Sequence, residues 1–194
     1  MEPIVKFALM HMCGPDPLRC DCALRTLHTT RAIEVRDVGK GLWDTARRAW
    51  LAASEKSTHA FVLQDDFSLA KDFVNQVRNR VSSFPNDCLS FFQPPSRRRR
   101  GLYIGEGLPG WRNDLGYVWG GTVALPSHLV QAFVIQADAM DFAWGDDERL
   151  SYFCRTNGIK VRHWYPSLLE HVGWDRSLIG GVADEWRRGT TKCP

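Results

Sequence analysis

The chain has 194 residues, 44% hydrophobic and 24% charged, a composition that suits one globular domain with its own core. No apolar run is long enough to cross a bilayer, and residues 1–9 lack the pattern of a signal peptide, so we expect an intracellular, cytoplasmic protein. The net charge of +3 excludes no class of partner.

The first third of the chain alternates strands with a helix. Apolar runs at residues 5–10 and 32–37 predict two strands, and apolar residues at helical spacing predict a helix over 42–54. Residues 60–63 predict a third buried strand. This strand ends abruptly at Gln64, Asp65 and Asp66.

The same alternation continues on either side of a long irregular segment, residues 93–119. The apolar spacing predicts further helices and strands, and the last helix is closed by Gly158. In chain order, we expect a helix over 73–81, strands at 88–92 and 120–125, helices at 127–136 and 146–157, and a strand at 160–164. The pattern as a whole predicts an α/β/α sandwich around a mostly parallel mixed sheet.

Asp65 and Asp66 are the first candidates for a functional site. In open α/β sheets, ligands bind at the carboxyl ends of the strands, where this pair is expected to lie. Adjacent carboxylates suit a hard divalent cation such as Mg²⁺ or Mn²⁺. The alternative is a polar turn, in which Asp is a favoured residue.

Two later motifs favour a functional site over a turn. WGDDERL, residues 144–150, puts Asp146 and Asp147 at a helix start, and PSLLEHVG, residues 166–173, contains His171. With QDD at 64–66, they resemble in order the DXD, GED-x-x-L and PSL-x-x-H-x-G motifs of GT-A-type glycosyltransferases. The resemblance covers residues 5–173 and implies a GT-A-like (Rossmann-like) single domain, here with the DXD compressed to adjacent acids.

The resemblance also implies roles for individual residues. Asp66 and His171 would bind Mn²⁺ or Mg²⁺, which stabilises the leaving nucleotide diphosphate, and Asp65 would hold the ribose or a metal-bound water. Asp147 would be the general base that deprotonates the acceptor hydroxyl, which implies inversion, with Asp146 as the alternative base. These acids also suit a helix N-terminus electrostatically, and that structural role is compatible with catalysis.

The remaining donor contacts are expected where members of the family bind the nucleotide of their donor. The donor here would be a UDP-sugar or another nucleotide sugar. The nucleotide-binding places are the ends of the first two strands and the helix that follows. The residues there are His11, Asp37, Lys40 and Arg47. Residues 1–66 would then form the donor half, 67–173 the acceptor and catalytic half, and 174–194 a tail.

A basic run inside the irregular segment bears on the acceptor. It consists of Arg97, Arg98, Arg99 and Arg100. An arginine-rich loop suits a nucleic-acid backbone, although a solvated loop is the simpler interpretation. Trp144 would stack on a sugar or base. A small phage-type DNA glycosyltransferase, working on hydroxymethylated pyrimidines in the host cytoplasm, is therefore one interpretation, and a cell-surface glycan precursor is the alternative acceptor.

Other interpretations of the same residues stay open. A metal-dependent nuclease or phosphoesterase would use the acids beside the basic loop, and a non-catalytic nucleic-acid-binding module would use the loop alone. A zinc site is not favoured, because the neighbouring histidines and thiols fit no usual ligand spacing. We expect Cys13, Cys20 and Cys22 to be loop and core thiols.

Overall fold

A seven-stranded sheet and a separate two-stranded sheet organise the part of the chain that the computed structural model describes. That part comprises residues 2–12, 17–92, 109–112, 117–120, 122–141 and 145–172. The elements in chain order are β1 (Val5–His11), α1 (Pro17–Thr30), β2 (Ile33–Arg36), α2 (Leu42–Ser54), β3 (His59–Gln64), β4 (Phe67–Leu69), α3 (Phe73–Val81), β5 (Cys88–Ser90), β6 (Gly110–Arg112), β7 (Thr122–Pro126), α4 (Ser127–Asp138), α5 (Asp146–Thr156), β8 (Val161–Tyr165) and β9 (Leu169–His171). Each helix and strand predicted from the sequence is confirmed, with ends that differ by no more than about two residues.

The large sheet has the strand order β2-β1-β3-β7-β5-β8-β6. Strands β2, β1 and β3 are parallel, and β5 and β8 run in the same direction as these three. Strand β7 is antiparallel between β3 and β5, and β6 is antiparallel at the edge beside β8. The mostly parallel mixed sheet expected from the sequence is therefore confirmed.

Helices cover both faces of this sheet, which gives the three layers of an α/β/α sandwich. Alternate residues of β1 point to opposite faces, with Met10 in one core and Leu9 in the other. The first core joins the sheet to α2, α4 and α5 through residues such as Trp50 and Phe133, and the second joins it to α3 through Phe73. Within the described ranges, no helix combines the length and the apolar character needed to cross a membrane.

Helix α1 is the largest element that the sequence analysis missed. Its buried positions are Arg19, Cys22, Ala23, Thr26 and Thr30, which recur at helical spacing but are mostly polar. Because hydrophobic periodicity is the main signal for a helix, a polar buried face conceals one. Cys20 and Cys22 are free thiols that lie on this helix rather than in a loop, and the buried Cys22 is a core thiol as expected. Cys13 lies outside the described residues.

Helix α5 is tied to the end of α4 by a buried arginine. Arg149 is 1% exposed and donates hydrogen bonds to the carbonyl oxygens of Ala137 and Asp141, with an Nη2–O distance of 2.7 Å to Asp141. Its guanidinium also lies 4.9 Å from the ring centre of Trp43 on α2. A cation at the carbonyl end of a helix is electrostatically favourable. This contact therefore holds the first turn of α5 against the end of α4.

Candidate active site

The carboxyl edge of the sheet brings the sequence motifs together. Met10 lies opposite Gln64 in the parallel pair β1–β3, so both chains leave the sheet at the same edge. The antiparallel β7 enters there, because Thr122 at its start pairs with Leu63. The QDD motif therefore emerges between the chain that leaves β1 and the chain that enters β7.

Asp65 and Asp66 are buried at this edge, at 1% and 7% exposure, which rules out an ordinary solvated turn. The backbone N–H of Met12 donates to Asp65 Oδ2 at 2.5 Å. Arg19 donates to Asp65 Oδ1 through Nε at 3.2 Å and Nη2 at 2.6 Å, and to Asp66 Oδ2 through Nη2 at 3.1 Å. Sequence reasoning missed Arg19, because no motif marks it and its helix was not recognised.

The small sheet carries His171 to the acid pair. Strand β4 begins directly after Asp66 and pairs antiparallel with β9, which sets Phe67 opposite His171. The N–H of Val172 donates to the carbonyl oxygen of Asp66 at 2.8 Å. His171 Nε2 lies 3.3 Å from Asp66 Oδ2, so the pairing of two short strands joins the QDD and PSLLEHVG motifs.

The two acids of this pair differ in their electrostatics. Burial raises the pKa of Asp65, and the charge of Arg19 only partly opposes this. Burial would also raise the pKa of Asp66, but the hydrogen bond and charge of His171, together with the charge of Arg19, outweigh it and lower that pKa. Asp66 is therefore held as a carboxylate.

The second acid pair lies at the N-terminus of α5, within reach of the first motif. Asp146 Oδ2 is 3.5 Å from Gln64 Nε2, and Asp146 is 7% exposed. Asp147 is partly exposed; its Oδ1 accepts the N–H of Glu148 at 2.9 Å, and its Oδ2 is 3.5 Å from the hydroxyl of Tyr117. The structure thus brings together acids that lie about 80 positions apart in the chain.

The surroundings of Asp146 and Asp147 disfavour the ionised form of both carboxyl groups. Burial, with the neighbouring charge of Asp147, raises the pKa of Asp146 from 3.8 to about 7. Burial also raises the pKa of Asp147, with a further contribution from the charge of Glu148. A carboxyl group that titrates close to neutral pH, as that of Asp146 does, is suited to accepting and releasing protons.

The residues around Asp66 fit a divalent cation that a ligand helps to coordinate. In the described ranges, no group of three or more His, Cys, Asp or Glu side chains is arranged to hold a metal on its own. However, Asp66 Oδ1 and His171 Nδ1 are buried without a hydrogen-bond partner among the described residues. A carboxylate with an imidazole suits Mn²⁺, and such ions are commonly completed by substrate phosphates rather than by protein alone.

The predicted donor-binding residues lie around β1, β2 and α2, with varied contacts. His11 Nδ1 is 2.5 Å from Glu34 Oε1, Asp37 Oδ1 accepts the N–H of Gly39 at 3.1 Å, and Lys40 is exposed. Arg47 Nε pairs with Asp138 Oδ2 on α4 at 3.0 Å. Their roles toward a nucleotide stay predictions.

The predicted acceptor contacts are not part of the described structure. Trp144, Arg97, Arg98, Arg99 and Arg100 lie outside the described residues, as does the tail at 174–194. No described residue therefore bears on the prediction of a nucleic-acid acceptor.

Comparison with known proteins shows the fold alone. No family model matches the sequence, and no curated protein matches it either. Among solved structures, the crystal structure of A197 from STIV superposes with a TM-score of 0.53 at 12% identity, over 93% of this chain and 87% of that one. The two chains share a mixed α/β architecture.

Proposed function

We propose that this chain is a metal-dependent, inverting glycosyltransferase of the GT-A type that moves a sugar from a UDP-sugar, or another nucleotide sugar, to an acceptor hydroxyl. One observation carries the proposal: three motifs distant in sequence converge at the carboxyl edge of one sheet. His171 lies 3.3 Å from Asp66, and Gln64, next to the acid pair, lies 3.5 Å from Asp146. A cation-binding pair and a proton-accepting pair side by side match the two chemical needs of glycosyl transfer.

Asp66 and His171 would hold the divalent cation. When bound, it would neutralise charge that develops on the diphosphate as the glycosidic bond breaks. Asp66 suits this role because its pKa is lowered and its Oδ1 is a buried acceptor without a partner among the described residues. Both oxygens of Asp65 accept hydrogen bonds, one from the N–H of Met12 and the other from Arg19. We therefore propose that Asp65 orients the Met12 backbone and the Arg19 guanidinium.

Asp147 is the proposed general base, with Asp146 as the alternative. Asp147 is partly exposed and so is accessible to an acceptor hydroxyl, whereas Asp146 is 7% exposed and lies against Gln64. The pKa of Asp146, raised to about 7, keeps that carboxyl in the range in which it takes up a proton at neutral pH, and the pKa of Asp147 is also raised. A single base that activates the acceptor for direct attack implies inversion at the anomeric carbon.

Thermal unfolding with a panel of nucleotide sugars, with and without Mn²⁺, tests the donor. A ligand at 100 times its Kd should stabilise the protein by about 2.7 kcal/mol. We expect stabilisation by a UDP-sugar or another nucleotide sugar that depends on Mn²⁺ in the wild type and is absent in Asp66→Asn. No stabilisation by any nucleotide sugar would contradict the proposal.

The acceptor is proposed from one sequence feature, the run of four arginines, because an arginine-rich segment suits a nucleic-acid backbone. DNA with hydroxymethylated pyrimidines is the proposed acceptor, and a glycan precursor is the alternative. Transfer of radiolabelled sugar to modified DNA, unmodified DNA and a glycan-precursor mixture separates them. Cleavage of DNA without any nucleotide sugar would instead indicate a nuclease.

A further inference from the structure

The proposed roles leave Arg19, the side chain with the closest contacts to the acid pair, without a function. Its guanidinium lies across both carboxylates, with two hydrogen bonds to Asp65 and one to Asp66. Arg19 is 8% exposed and lies in the first turn of α1, which packs against β1 and β4. Arg19 is therefore part of a buried ion-pair cluster rather than of a solvent-exposed ion pair.

One oxygen of the cluster is left uncompensated. Arg19 and His171 both contact Asp66 through its Oδ2, whereas Asp66 Oδ1 is buried without a hydrogen-bond partner among the described residues. Burying an uncompensated carboxylate oxygen is unfavourable, so the cluster favours a further cation at Asp66. Arg19 and that cation would then compete for the same carboxylate.

The contacts of Arg19 are also unequal. Asp65 receives Nε and Nη2, and it is itself fixed by the N–H of Met12. Asp66 shares a single donor, Nη2, at 3.1 Å. The contact with Asp66 can therefore be given up while Asp65 continues to hold the guanidinium in place.

We propose that Arg19 is a resident counter-cation that releases Asp66 when a divalent cation binds and then donates to the diphosphate oxygens of the nucleotide. The inference rests on the proposed function and adds a diphosphate-binding residue to that site. A guanidinium suits this role because its planar array of N–H donors matches phosphate oxygens. Asp65 keeps that array oriented, which explains why both of its oxygens are engaged by protein groups.

Removal of Arg19 should strengthen cation binding and weaken diphosphate binding. In Arg19→Gln, the Kd for Mn²⁺ alone should fall by about tenfold or more, because a competing positive charge near Asp66 is lost. The variant should unfold at a lower temperature without Mn²⁺, and Mn²⁺ should raise its Tm more than that of the wild type. A merely structural arginine would give a loss of stability that Mn²⁺ does not repair.

The nucleotide provides the second readout. With Mn²⁺ at saturation, the Kd of Arg19→Gln for UDP should rise on the order of tenfold or more, since a charge-assisted hydrogen bond is lost. The Kd for uridine, which carries no phosphate, should not change. Arg25→Gln is the matched control, because Arg25 lies on the same helix in an exposed pair with Asp21 and carries the same charge.

Arg19→Lys keeps the test decisive if Arg19→Gln does not fold. Lysine keeps the charge but not the planar array, so Mn²⁺ affinity should stay close to wild type while UDP affinity falls. Wild-type UDP affinity in the Lys variant, or wild-type affinities for both Mn²⁺ and UDP in the Gln variant, would overturn the inference and leave the proposed function intact. If the wild-type protein itself binds neither Mn²⁺ nor UDP, both the inference and the proposed function fall.

Discussion

The two acid pairs at the carboxyl edge have the same residue type in opposite surroundings. Asp65 and Asp66 face the guanidinium of Arg19 and the imidazole of His171, and the pKa of Asp66 is lowered. Asp146 is buried and Asp147 half-buried beside further carboxylates, Asp147 next to Asp146 and Glu148 next to Asp147, and the pKa of both is raised. Environment alone therefore separates Asp66, which is held as an anion, from Asp146 and Asp147, whose ionised forms are disfavoured.

The strongest test of this comparison removes Asp66, the proposed cation-binding carboxylate. In Asp66→Ala, Mn²⁺-dependent UDP binding should be lost while the fold survives, because the proposed main metal ligand is gone. His171→Ala should weaken the same binding less, since one of several ligands is lost. Calorimetric titration of UDP with Mn²⁺ measures both effects, and wild-type affinity in Asp66→Ala would refute the metal assignment.

The second test removes the proposed base and leaves the donor site alone. Asp147→Asn should lower the rate of transfer by roughly 10²–10⁴-fold, the usual contribution of a general base, with donor affinity unchanged. Asp146→Asn is the parallel variant in a single-turnover assay. Normal transfer by Asp147→Asn together with a large loss in Asp146→Asn would move the role to Asp146.

A smaller change should disturb the base without removing it. A Cβ at Gly145 would lie 2.8 Å from Asp147 Oδ1, too close for the carboxylate to keep its place. Gly145 has φ −64° and ψ 165°, which alanine also adopts. The steric clash would therefore be relieved by a shift of the Asp147 side chain rather than of the backbone. We expect Gly145→Ala to lower transfer by about tenfold, as imprecise positioning of a catalytic group does, with little change in Tm.

Gly120→Ala is the control for that prediction. Its Cβ would lie 3.8 Å from Asp147 Oδ2, an ordinary van der Waals distance. Transfer by Gly120→Ala should therefore stay close to wild type. Equal losses in the two variants would show that the steric account of Gly145 is wrong.

The pH dependence of stability should differ in sign between Asp146 and Asp66. A carboxyl whose pKa rises on folding, as for Asp146 from 3.8 to about 7, binds more protons in the folded state between those values. Its contribution to stability therefore decreases as pH rises through that window. Asp66 has a lowered pKa, so its contribution is lost only as pH falls through the acid range.

Melting temperatures across pH give the smallest of these effects and check both signs. Asp146→Asn should flatten the decline of Tm between about pH 4 and 7, since asparagine does not titrate. Asp66→Asn should instead flatten the acid limb below about pH 4. If Asp146→Asn leaves the neutral limb unchanged, Asp146 is not the group that titrates there.

The sequence predicted those parts of the fold that hydrophobic periodicity marks. Helix α2 was predicted at its observed bounds, because Trp50 and three alanines repeat on one face. Helix α1 was missed because its buried face carries Arg19 and threonines, and β4, β6 and β9 have three residues each, too few to show a period.

For the candidate site, the sequence supplied motifs but not the contacts between them. The pairing of β4 with β9, which joins Asp66 to His171, depends on strands that no local pattern marks. Arg19 lies in no motif, and its position depends on how α1 packs across β1 and β4. Motif order was therefore informative about candidate residues, whereas partners and charge states required the three-dimensional arrangement.

The hydrogen bonds of Arg149 also help to position Asp146 and Asp147 at the start of α5. Its hydrogen bonds to Ala137 in the last turn of α4, and to Asp141 just beyond that turn, hold the start of α5 against a helix that packs directly on the sheet. The start of α5 is thus held against the end of α4 by hydrogen bonds as well as by the connection between the two helices. We therefore expect α5 to keep its place when residues are inserted in the connection after Asp141.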